Sequence, residues 1–592
     1  MSRTHDNFSP PNNPEQSQHK RDRNISEYSI LESQLMEKAR SKTLLKRNLV
    51  GQPPDERKIY DDDLVEAISE EFSDRIRVVP IIGDMIRALN LSLRRRRLTF
   101  DQLLEISVRK VSSQNRVTRS DIAQITKIRS ITGNSIIPFM NGGPSDQHWN
   151  SSDNGFYDWL DKRSQESIFG VELGFKADDY GLEVSNKLIS RKWRNPELNI
   201  SLLIDGFVSY LMSKKPEQKA QFTALENNTI SMINNMRKDG INVYVNDSWN
   251  PLSSDFLAAN HVKLWIFDEI AAFCGGIGIE SQFREILYDE MDLIEGPLVG
   301  IIAILALLLM DNQTPQFQAV SKNNWITKER LQRIYEKNYG IPKGLVNMKV
   351  CMNVPGYVQD AQHEYISLLN HQDLKEVYIM TPYFSDDRIA RALVLAAERL
   401  RARLERSRSR SRTGTSSHYP PDIDSSGTNI DDNSKKIHVI FPKKQENLII
   451  EEVSKYYAYY LRYNLVVDTR QFYFEDKDNA RKYEMLHAKQ MVVVLENEKR
   501  NWTKYVKFGG SYNPAGRAHN MWEMNIRSIN GRWDVSDEGP DAAAQNPIKD
   551  YLNNVLKVVV TKYSEPFPCG QANIELSGIE RLLMKLSQLI WV

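Results

Sequence analysis

The sequence predicts an α/β fold made of two similar halves, each a mixed β-sheet flanked by helices, packed as a pseudo-twofold pair behind an N-terminal helical extension. Strand-like apolar segments alternate with helical patterns from residue 132 onward, which is typical of such sheets. A His-x-Lys pair occurs twice, at His261/Lys263 and His487/Lys489, and a Gly-Gly turn follows each pair. The histidines are 226 positions apart, about one domain length, which indicates an internal duplication.

The N-terminal region divides into two segments. Residues 1–58 are polar and rich in Pro, Asn and Ser, so we expect a disordered tail. Residues 59–131 form the helical extension, because Leu64, Ile68 and Phe72 recur at three- and four-residue spacing. Its basic patch, Arg94–Arg97, suits a solvated helix end, a contact for anionic phospholipid headgroups or a nuclear-type address. The sequence leaves these three open.

The first half is predicted to span residues 132–345. A strand and turn occupy 132–145, and an alternating pattern predicts a strand over Ser167–Phe175. The apolar run Leu298–Met310 is 13 residues long, too short to span a bilayer, and indicates a buried helix. Between them we expect a helix over Leu182–Ile189 and a strand over Ile200–Ile204 that ends in Asp205-Gly206.

The second half is predicted to span residues 346–592. Residues 405–434 combine an Arg-Ser run with Ser, Thr, Pro and Asp, so we expect a disordered insertion there. Asn501 and Trp502 are expected at the tip of an extended hairpin. The other expected elements are a strand ending at Thr381-Pro382-Tyr383-Phe384, a helix Arg388–Leu404, a strand Ile437–Phe441 and a helix Glu446–Leu461.

Composition excludes some classes of protein. Of 592 residues, 78 are Lys or Arg and 77 are Asp or Glu, which argues against the globally basic surface of many nucleic-acid binders but allows a local basic cleft. The three cysteines, Cys274, Cys351 and Cys569, form no disulfide framework or zinc-ligand spacing. We therefore expect a cytoplasmic or peripheral membrane location on a reducing face, with neither signal peptide nor transmembrane helix.

The His-x-Lys pairs suit chemistry at phosphorus. Alternate side chains of a strand share a face, so His261 and Lys263 point the same way. An imidazole can attack phosphorus or donate a proton, and an ammonium group can hold the non-bridging oxygens. Two such pairs indicate two copies of a strand–turn phosphate site, one in each half.

This pattern resembles the phospholipase D superfamily, in which H-x-K-x4-D occurs twice. His261, Lys263 and Asp268 match the motif in full. The second copy keeps His487 and Lys489, but Val494 stands in place of Asp, and Glu496 on the same strand face is a candidate substitute. The Thr381–Phe384 strand end is similar to that of cardiolipin synthase-like members.

The resemblance implies further site residues. Asp289, seven residues before Gly296-Pro297, would orient His261, and Glu523 would orient His487. Ser511 and Asn513 would donate hydrogen bonds to the substrate phosphate. Gly278 stands where the family usually has Asn, which leaves fewer donors in the first half.

The implied mechanism passes through a covalent phosphohistidine, with His261 as nucleophile and His487 as acid and base, although the reverse assignment stays open. No cofactor or metal is implied. With water as acceptor the enzyme would be a phospholipase, and with an alcohol a phosphatidyltransferase. We expect a phospholipid substrate and a peripheral membrane surface as partners, without nucleic acid, and leave the oligomeric state open.

Two alternatives remain from the sequence. A nucleic-acid phosphodiesterase of the same superfamily would need a continuous basic groove at the site. A degenerate member that binds membranes or partners without catalysis is motivated by Val494 and Gly278.

Overall fold

The computed structural model describes the greater part of the chain between residues 97 and 567. All described residues belong to one compact unit, Val79–Ile574 with Met584–Val592. The predicted tail, residues 94–96 of the basic patch, residues 413–434 of the insertion and most of the predicted helix Glu446–Leu461 lie outside the described residues. The described ranges are 97–113, 116–140, 155–205, 216–246, 258–313, 326–412, 436–443, 454–455, 457–458, 461, 467–476, 481–483, 485–515, 518, 521–530 and 546–567.

The described part of the chain contains twenty strands, most of which follow apolar runs of the sequence. The strands of the first half are β1 Ile131–Met140, β2 Ser167–Glu172, β3 Asn199–Asp205, β4 Asn242–Asn246, β5 Leu264–Phe267, β6 Ala271–Gly275, β7 Leu287–Tyr288 and β8 Glu290–Glu295. Those of the second half are β9 Val346–Val354, β10 Val358–Gln359, β11 Leu374–Met380, β12 Ile437–Pro442, β13 Val467–Phe472, β14 Phe474–Asp476, β15 Arg481–Tyr483, β16 Met485–Leu486, β17 Gln490–Asn497, β18 Trp502–Gly510, β19 Glu523–Asn530 and β20 Ser564–Pro566.

One large sheet carries the same strand order twice. The first half runs β1-β8-β6-β5-β2-β3-β4, and the second runs β9-β19-β18-β17-β11-β12-β13 with β20 at its edge. In each series the first four neighbouring pairs are antiparallel and the last two are parallel. β1 and β9 pair antiparallel and join the two series. The prediction of two similar halves, each a mixed sheet with helices, is confirmed; their pseudo-twofold packing stays a prediction.

Helices pack on the sheet, and several begin at a residue whose side chain caps the first turn. Thr99 caps the first helix and Thr118 the second, and both form capping boxes with the residue three positions on. The helices are α1 Phe100–Ser112, α2 Arg119–Ile125, α3 Phe156–Asp158, α4 Asp179–Arg194, α5 Pro216–Lys238, α6 Ser281–Glu285, α7 Pro297–Gln313, α8 Lys328–Asn338, α9 Asp360–Leu369, α10 Asp387–Arg412, α11 Pro547–Tyr551 and α12 Lys557–Lys562, with π-helical turns at Trp159–Arg163 and Leu552–Leu556.

Helix α7 is the buried helix that the apolar run predicted. Nearly all of its residues are buried, and it packs against α1, α2, α8 and β1. Gly300 permits the approach of α1, because a Cβ there would lie 2.7 Å from the ring of Phe100. The described part of the helical extension therefore shares the main core. No helix among the described residues is both long and apolar enough to cross a bilayer.

Two local features refine the sequence prediction for the second half. Helix α10 continues to Arg412, beyond the predicted start of the insertion at residue 405. Arg401 and Glu405 pair at 3.0 Å across one turn, which favours this continuation. The predicted hairpin is confirmed: β17 and β18 are joined by a short turn in which Asn501 has a φ of 50°.

A buried ion cluster between β8 and β18 joins the two halves. The ammonium group of Lys507 on β18 lies 2.7 Å from Asp292 Oδ2 and 3.0 Å from Glu290 Oε2 on β8. All three side chains are at most 3% exposed. Burial raises the pKa of Glu290 to about 8, although Lys507 opposes the rise. The cation is the group that makes two adjacent buried carboxylates tolerable.

Replacing this cation should destabilise the protein strongly. For Lys507→Met we expect the free energy of unfolding to fall by about 3 kcal/mol, because two buried carboxylates lose their partner. The matched control is Lys375→Met, whose partner Glu496 lies in a more exposed pair and which should cost less than about 1 kcal/mol. Urea unfolding measures both, and equal losses would contradict a special role for Lys507.

Candidate active site

The two histidines occupy equivalent places in the two halves. His261 comes three residues before β5, and His487 comes three residues before β17, the matching strand. Their exposed fractions are 5% and 8%. Lys263 and Lys489 follow on the same side and are 2% exposed. Each His-x-Lys pair therefore enters a central antiparallel strand from the same end.

The main chain before each central strand pairs with the opposite half. The N–H of His261 donates to the carbonyl of Trp522 at 3.0 Å. The N–H of His487 donates to the carbonyl of Tyr288 at 2.8 Å, beside the parallel pair β16/β7. Trp522 precedes Glu523, and Tyr288 precedes Asp289. The two contacts are equivalent, and each brings a histidine to the carboxylate of the other half.

The side chains complete this exchange. His261 Nδ1 lies 3.0 Å from both carboxylate oxygens of Glu523. His487 Nδ1 lies 2.5 Å from Asp289 Oδ2. The predicted partners were therefore wrong: Asp289 orients His487, and Glu523 orients His261. Nearness along the chain suggested a partner in the same half, whereas the backbone contacts bring each carboxylate across.

Both imidazoles are held in the neutral form. Burial lowers the pKa of His261 well below its usual value, and Lys263 and Lys489 add to this. Burial and Lys489 lower the pKa of His487 to about 4, against the influence of Asp289. A carboxylate at Nδ1 selects the tautomer with the proton on that nitrogen. The lone pair then lies on Nε2, the atom that would attack phosphorus.

The lysines differ in their contacts. Lys489 Nζ lies 3.3 Å from His487 Nε2, 2.8 Å from its Nδ1 and 2.7 Å from the His487 carbonyl. Lys263 Nζ makes a longer contact, 3.4 Å, with the carbonyl of His261. Because Nζ of Lys489 is closer to Nδ1 than to Nε2, it lies beside the ring and off the outward direction of the Nε2 lone pair. The lone pair of His487 Nε2 is therefore not the acceptor of this contact.

The predicted phosphate ligands have different roles. The hydroxyl of Ser511 donates to Glu523 Oε2 at 2.5 Å, so its single proton orients the carboxylate. Its prediction as a phosphate donor is not matched by this contact. Asn513 is fully buried, and neither polar atom of its side chain has a hydrogen-bond partner within the described residues. The donors and the acceptor of the Asn513 amide are therefore unused within the described part of the chain.

The first half lacks these donors for steric reasons. Gly276 occupies the register position of Ser511, and Gly278 that of Asn513, because the N–H groups of Gly276 and Ser511 bind equivalent carbonyls. A Cβ on Gly276 would lie 2.2 Å from Asp289 Oδ1. A Cβ on Gly278 would lie 2.9 Å from the ring of Phe283, which packs edge-on against His487 at 5.2 Å. An aromatic ring fills the space beside His487.

These observations combine a repeated sheet, two His-x-Lys pairs at matching strand ends and an orienting carboxylate for each histidine. The chain resembles the phospholipase D superfamily. No family model matches it, and no curated protein matches it in sequence.

Solved structures similar to the chain include three proteins. Phosphatidylserine synthase from Haemophilus influenzae has 14% identity and a TM-score of 0.46, with 78% of this chain and 95% of that one covered. Polyphosphate kinase from Porphyromonas gingivalis has 9% identity and a TM-score of 0.34, covering 77% and 55%. Nuc from Salmonella typhimurium, a phospholipase D family member, has 14% identity and a TM-score of 0.20, covering 31% and 97%.

The aspartate of the phospholipase D-like motif has a structural place. Asp268 follows β5 at the end away from His261, with a φ of 51°. Its oxygens accept the N–H groups of Gln165, Glu166 and Ser167 at 2.7–2.8 Å. These contacts tie the start of β2 to the β5–β6 turn. Its predicted place among the catalytic side chains is not matched by these contacts.

The missing aspartate of the second copy has a simple explanation. β5 ends after four residues, whereas β17 continues for eight, so Val494 lies inside a strand and is buried. No turn exists at that position for an aspartate to hold. Glu496 pairs with Lys375 at 2.6 Å, so its suggested role as a substitute is wrong.

Phe283 and the exchanged partners escaped the sequence prediction. For Phe283, the sequence signal was an aromatic residue five positions after a glycine, Gly278, that stands where the resembled family usually has Asn. The exchange depends on contacts between distant segments, for which the sequence carries no local pattern. Among the described residues, no group of three or more His, Cys, Asp or Glu side chains has an arrangement that could hold a metal ion.

The depressed histidine pKa predicts a loss of stability in acid. His487 has a pKa of about 4 in the native state and a usual value of 6.5, so the unfolded state binds more protons between these values. The free energy of unfolding should fall as pH drops from 6.5 to 4. Between pH 7 and pH 4.5 this group accounts for about 2 kcal/mol.

Urea unfolding at the two pH values measures this loss. His487→Gln, which has no titrating ring, should show a shallower pH dependence than the parent protein. The same slope in both proteins would contradict a neutral, buried His487.

Proposed function

We propose that this protein is a phosphodiesterase or phosphatidyltransferase that acts on phospholipids through a covalent phosphohistidine. The observation that carries the proposal is the exchange of partners, His261 with Glu523 and His487 with Asp289. Two neutral imidazoles, each with an oriented Nδ1–H, stand beside two buried ammonium groups. One imidazole as nucleophile and one as acid and base is a division of work that suits transfer at phosphorus.

His261 is the nucleophile in this proposal. Its Nδ1 lies between both oxygens of Glu523, so the carboxylate can stabilise the positive charge that the ring gains as Nε2 bonds to phosphorus. The ammonium group of Lys489 lies 2.8 Å from Nδ1 of His487, and this cation disfavours a positive charge on that ring. The completeness of the first motif no longer favours His261, because Asp268 binds backbone elsewhere.

His487 serves as acid and then as base. A phosphate bound between Lys263 and Lys489 offsets the charges that lower the pKa of His487, so the ring can hold a proton when substrate is present. The P–O bond to the leaving group breaks as the N–P bond to His261 forms, and the proton of His487 passes to the leaving oxygen. The acceptor O–H then returns a proton to His487 as its oxygen attacks phosphorus and the N–P bond breaks.

Three side chains would stabilise the negative charge of the transition state. Lys263, Lys489 and Asn513 are at most 2% exposed, and hydrogen bonds are strongest where water is excluded. Asn513 has free donors and acceptors in the structure. These groups would hold the non-bridging oxygens.

A phospholipid substrate is favoured over nucleic acid by charge. The chain has a net charge of +1, which does not suit an extended polyanion. The Thr381–Phe384 strand end is similar to that of cardiolipin synthase-like proteins. Val494 no longer argues for a degenerate member, because its position is a strand interior away from the turn that Asp268 holds. Water and an alcohol are both possible acceptors.

A covalent-adduct experiment tests the proposal. The full chain is mixed with phosphatidylglycerol or phosphatidylcholine vesicles carrying ³²P in the diester, and headgroup release and acid-labile label on the protein are measured. We expect turnover and labelling for the parent protein. His261→Gln and His487→Gln should each lose at least about 10²-fold in rate, the usual loss for an acid–base group.

A p-nitrophenyl phosphodiester separates the two roles, because p-nitrophenolate leaves without a proton. His487→Gln should still form the adduct and accumulate it, since the second step lacks its base. His261→Gln should form none. His438→Gln is a matched control, because His438 pairs with Asp468 at 3.0 Å outside the proposed machinery, and it should turn over normally. Labelling of the His261 variant, or undiminished turnover in either histidine variant, would contradict the two-histidine scheme.

A further inference from the structure

Glu172 is a buried carboxylate for which the mechanism above has no role. It is the last residue of β2 and is 1% exposed. Oε1 accepts the indole N–H of Trp265 at 2.5 Å, and Oε2 has no hydrogen-bond partner within the described residues. A buried, incompletely bonded carboxylate is costly, so a charged neighbour is expected.

The register of the sheet places Lys263 beside it. β2 and β5 are antiparallel, and their last paired residues are Val171 and Leu264. Glu172 and Lys263 are the next positions on each strand, directly opposite each other, and opposite positions share a face of the sheet. Burial raises the pKa of Glu172, and Lys263 is the charge that opposes this most.

Lys263 depends on carboxylates for its charge. Burial lowers its pKa, and Glu172 is the first of the groups that oppose this, ahead of Glu523, Asp289 and Glu280. Its hydrogen bond to the His261 carbonyl is 3.4 Å long. The other titratable groups that act on Glu172 or Lys263, or on which these two act, are Glu523, Asp289, Glu280, His261, His487 and Tyr180.

The second half has no equivalent carboxylate. Met380 pairs with Gln490, so Thr381 holds the position beside Lys489 that Glu172 holds beside Lys263. The hydroxyl of Thr381 donates to the carbonyl of Tyr383. Lys489 instead lies 3.9 Å from Asp289 and 2.7 Å from the carbonyl of His487.

We propose that Glu172 is a positioning residue that keeps the ammonium group of Lys263 charged and directed at the phosphate. The inference rests on the proposed function, because it assigns Lys263 to the substrate phosphate. Trp265 binds one oxygen of the carboxylate, and the other has no hydrogen-bond partner within the described residues. The two lysines thus have different acidic neighbours, Glu172 opposite Lys263 in the register of its own half and Asp289, which also binds His487, near Lys489.

The test compares Glu172→Gln with the matched control Thr381→Val in the full chain. Gln can still accept from Trp265 but carries no charge. We expect the alkaline limb of the kcat/KM profile to move to lower pH by about one unit or more in Glu172→Gln, because Lys263 loses its opposite charge. At pH 8, affinity for inorganic phosphate, measured by calorimetry, should fall about tenfold. Thr381→Val should change neither.

The outcomes separate this inference from the proposed function. An active parent protein with an unchanged profile in Glu172→Gln would overturn the role of Glu172 alone. A parent protein without turnover or adduct would overturn the proposed function, and phosphate affinity would still decide on Glu172. If circular dichroism shows that the Gln variant does not fold, Glu172→Asp replaces it, with a smaller shift in the same direction expected and an unshifted limb overturning the inference.

Discussion

The site depends on backbone pairing between the halves. The segments before β5 and β17 bind the main chain of Trp522 and Tyr288 in the other half. These bonds decide which carboxylate reaches which imidazole, because Glu523 and Asp289 are the next residues along the chain. Two backbone hydrogen bonds thus set the pairing of the carboxylates with the imidazoles. The buried cluster of Lys507 on β18 with Glu290 and Asp292 on β8 joins the same two halves.

Electrostatics then makes the site costly and specific. Four buried carboxylates, Glu172, Glu280, Asp289 and Glu523, surround two ammonium groups and two neutral imidazoles. Desolvation opposes the charges of Glu172, Glu523 and Lys263, and opposite charges or hydrogen bonds act against it at each of the three. A bound phosphate monoanion or dianion adds the negative charge that the lysines can still accommodate. The same groups that weaken the empty site would therefore hold the substrate.

Much of the fold could be predicted from local patterns. An alternating pattern indicated β2, strand-like apolar segments indicated β3 and β12, and the apolar run indicated α7. The repeated His-x-Lys pair indicated the duplicated sheet, because the motif marks matching strands. The boundary of α10 was missed, since Arg, Glu and Ser fit a charged helix as well as a disordered segment. Position-specific patterns cannot distinguish these two without knowledge of the surrounding contacts.

The sequence indicated which residues lie in this region, but it did not indicate which of them pair with one another. Residues 261, 263, 487, 489, 289 and 523 do belong to one buried region, yet the motif aspartate Asp268 holds a turn and Ser511 orients Glu523. The roles of these two follow from strand length and from hydroxyl geometry, which a motif does not encode. Glu172 had no motif at all, because its partner is defined by sheet register.

Two glycines of the first half make the two sides of the site different. Gly276 and Gly278 leave one side closed by Asp289 and Phe283, while Ser511 and Asn513 furnish the other. The two halves are therefore not interchangeable at this site. A molecule bound between them would meet the ring of Phe283 on one side and the amide of Asn513 on the other.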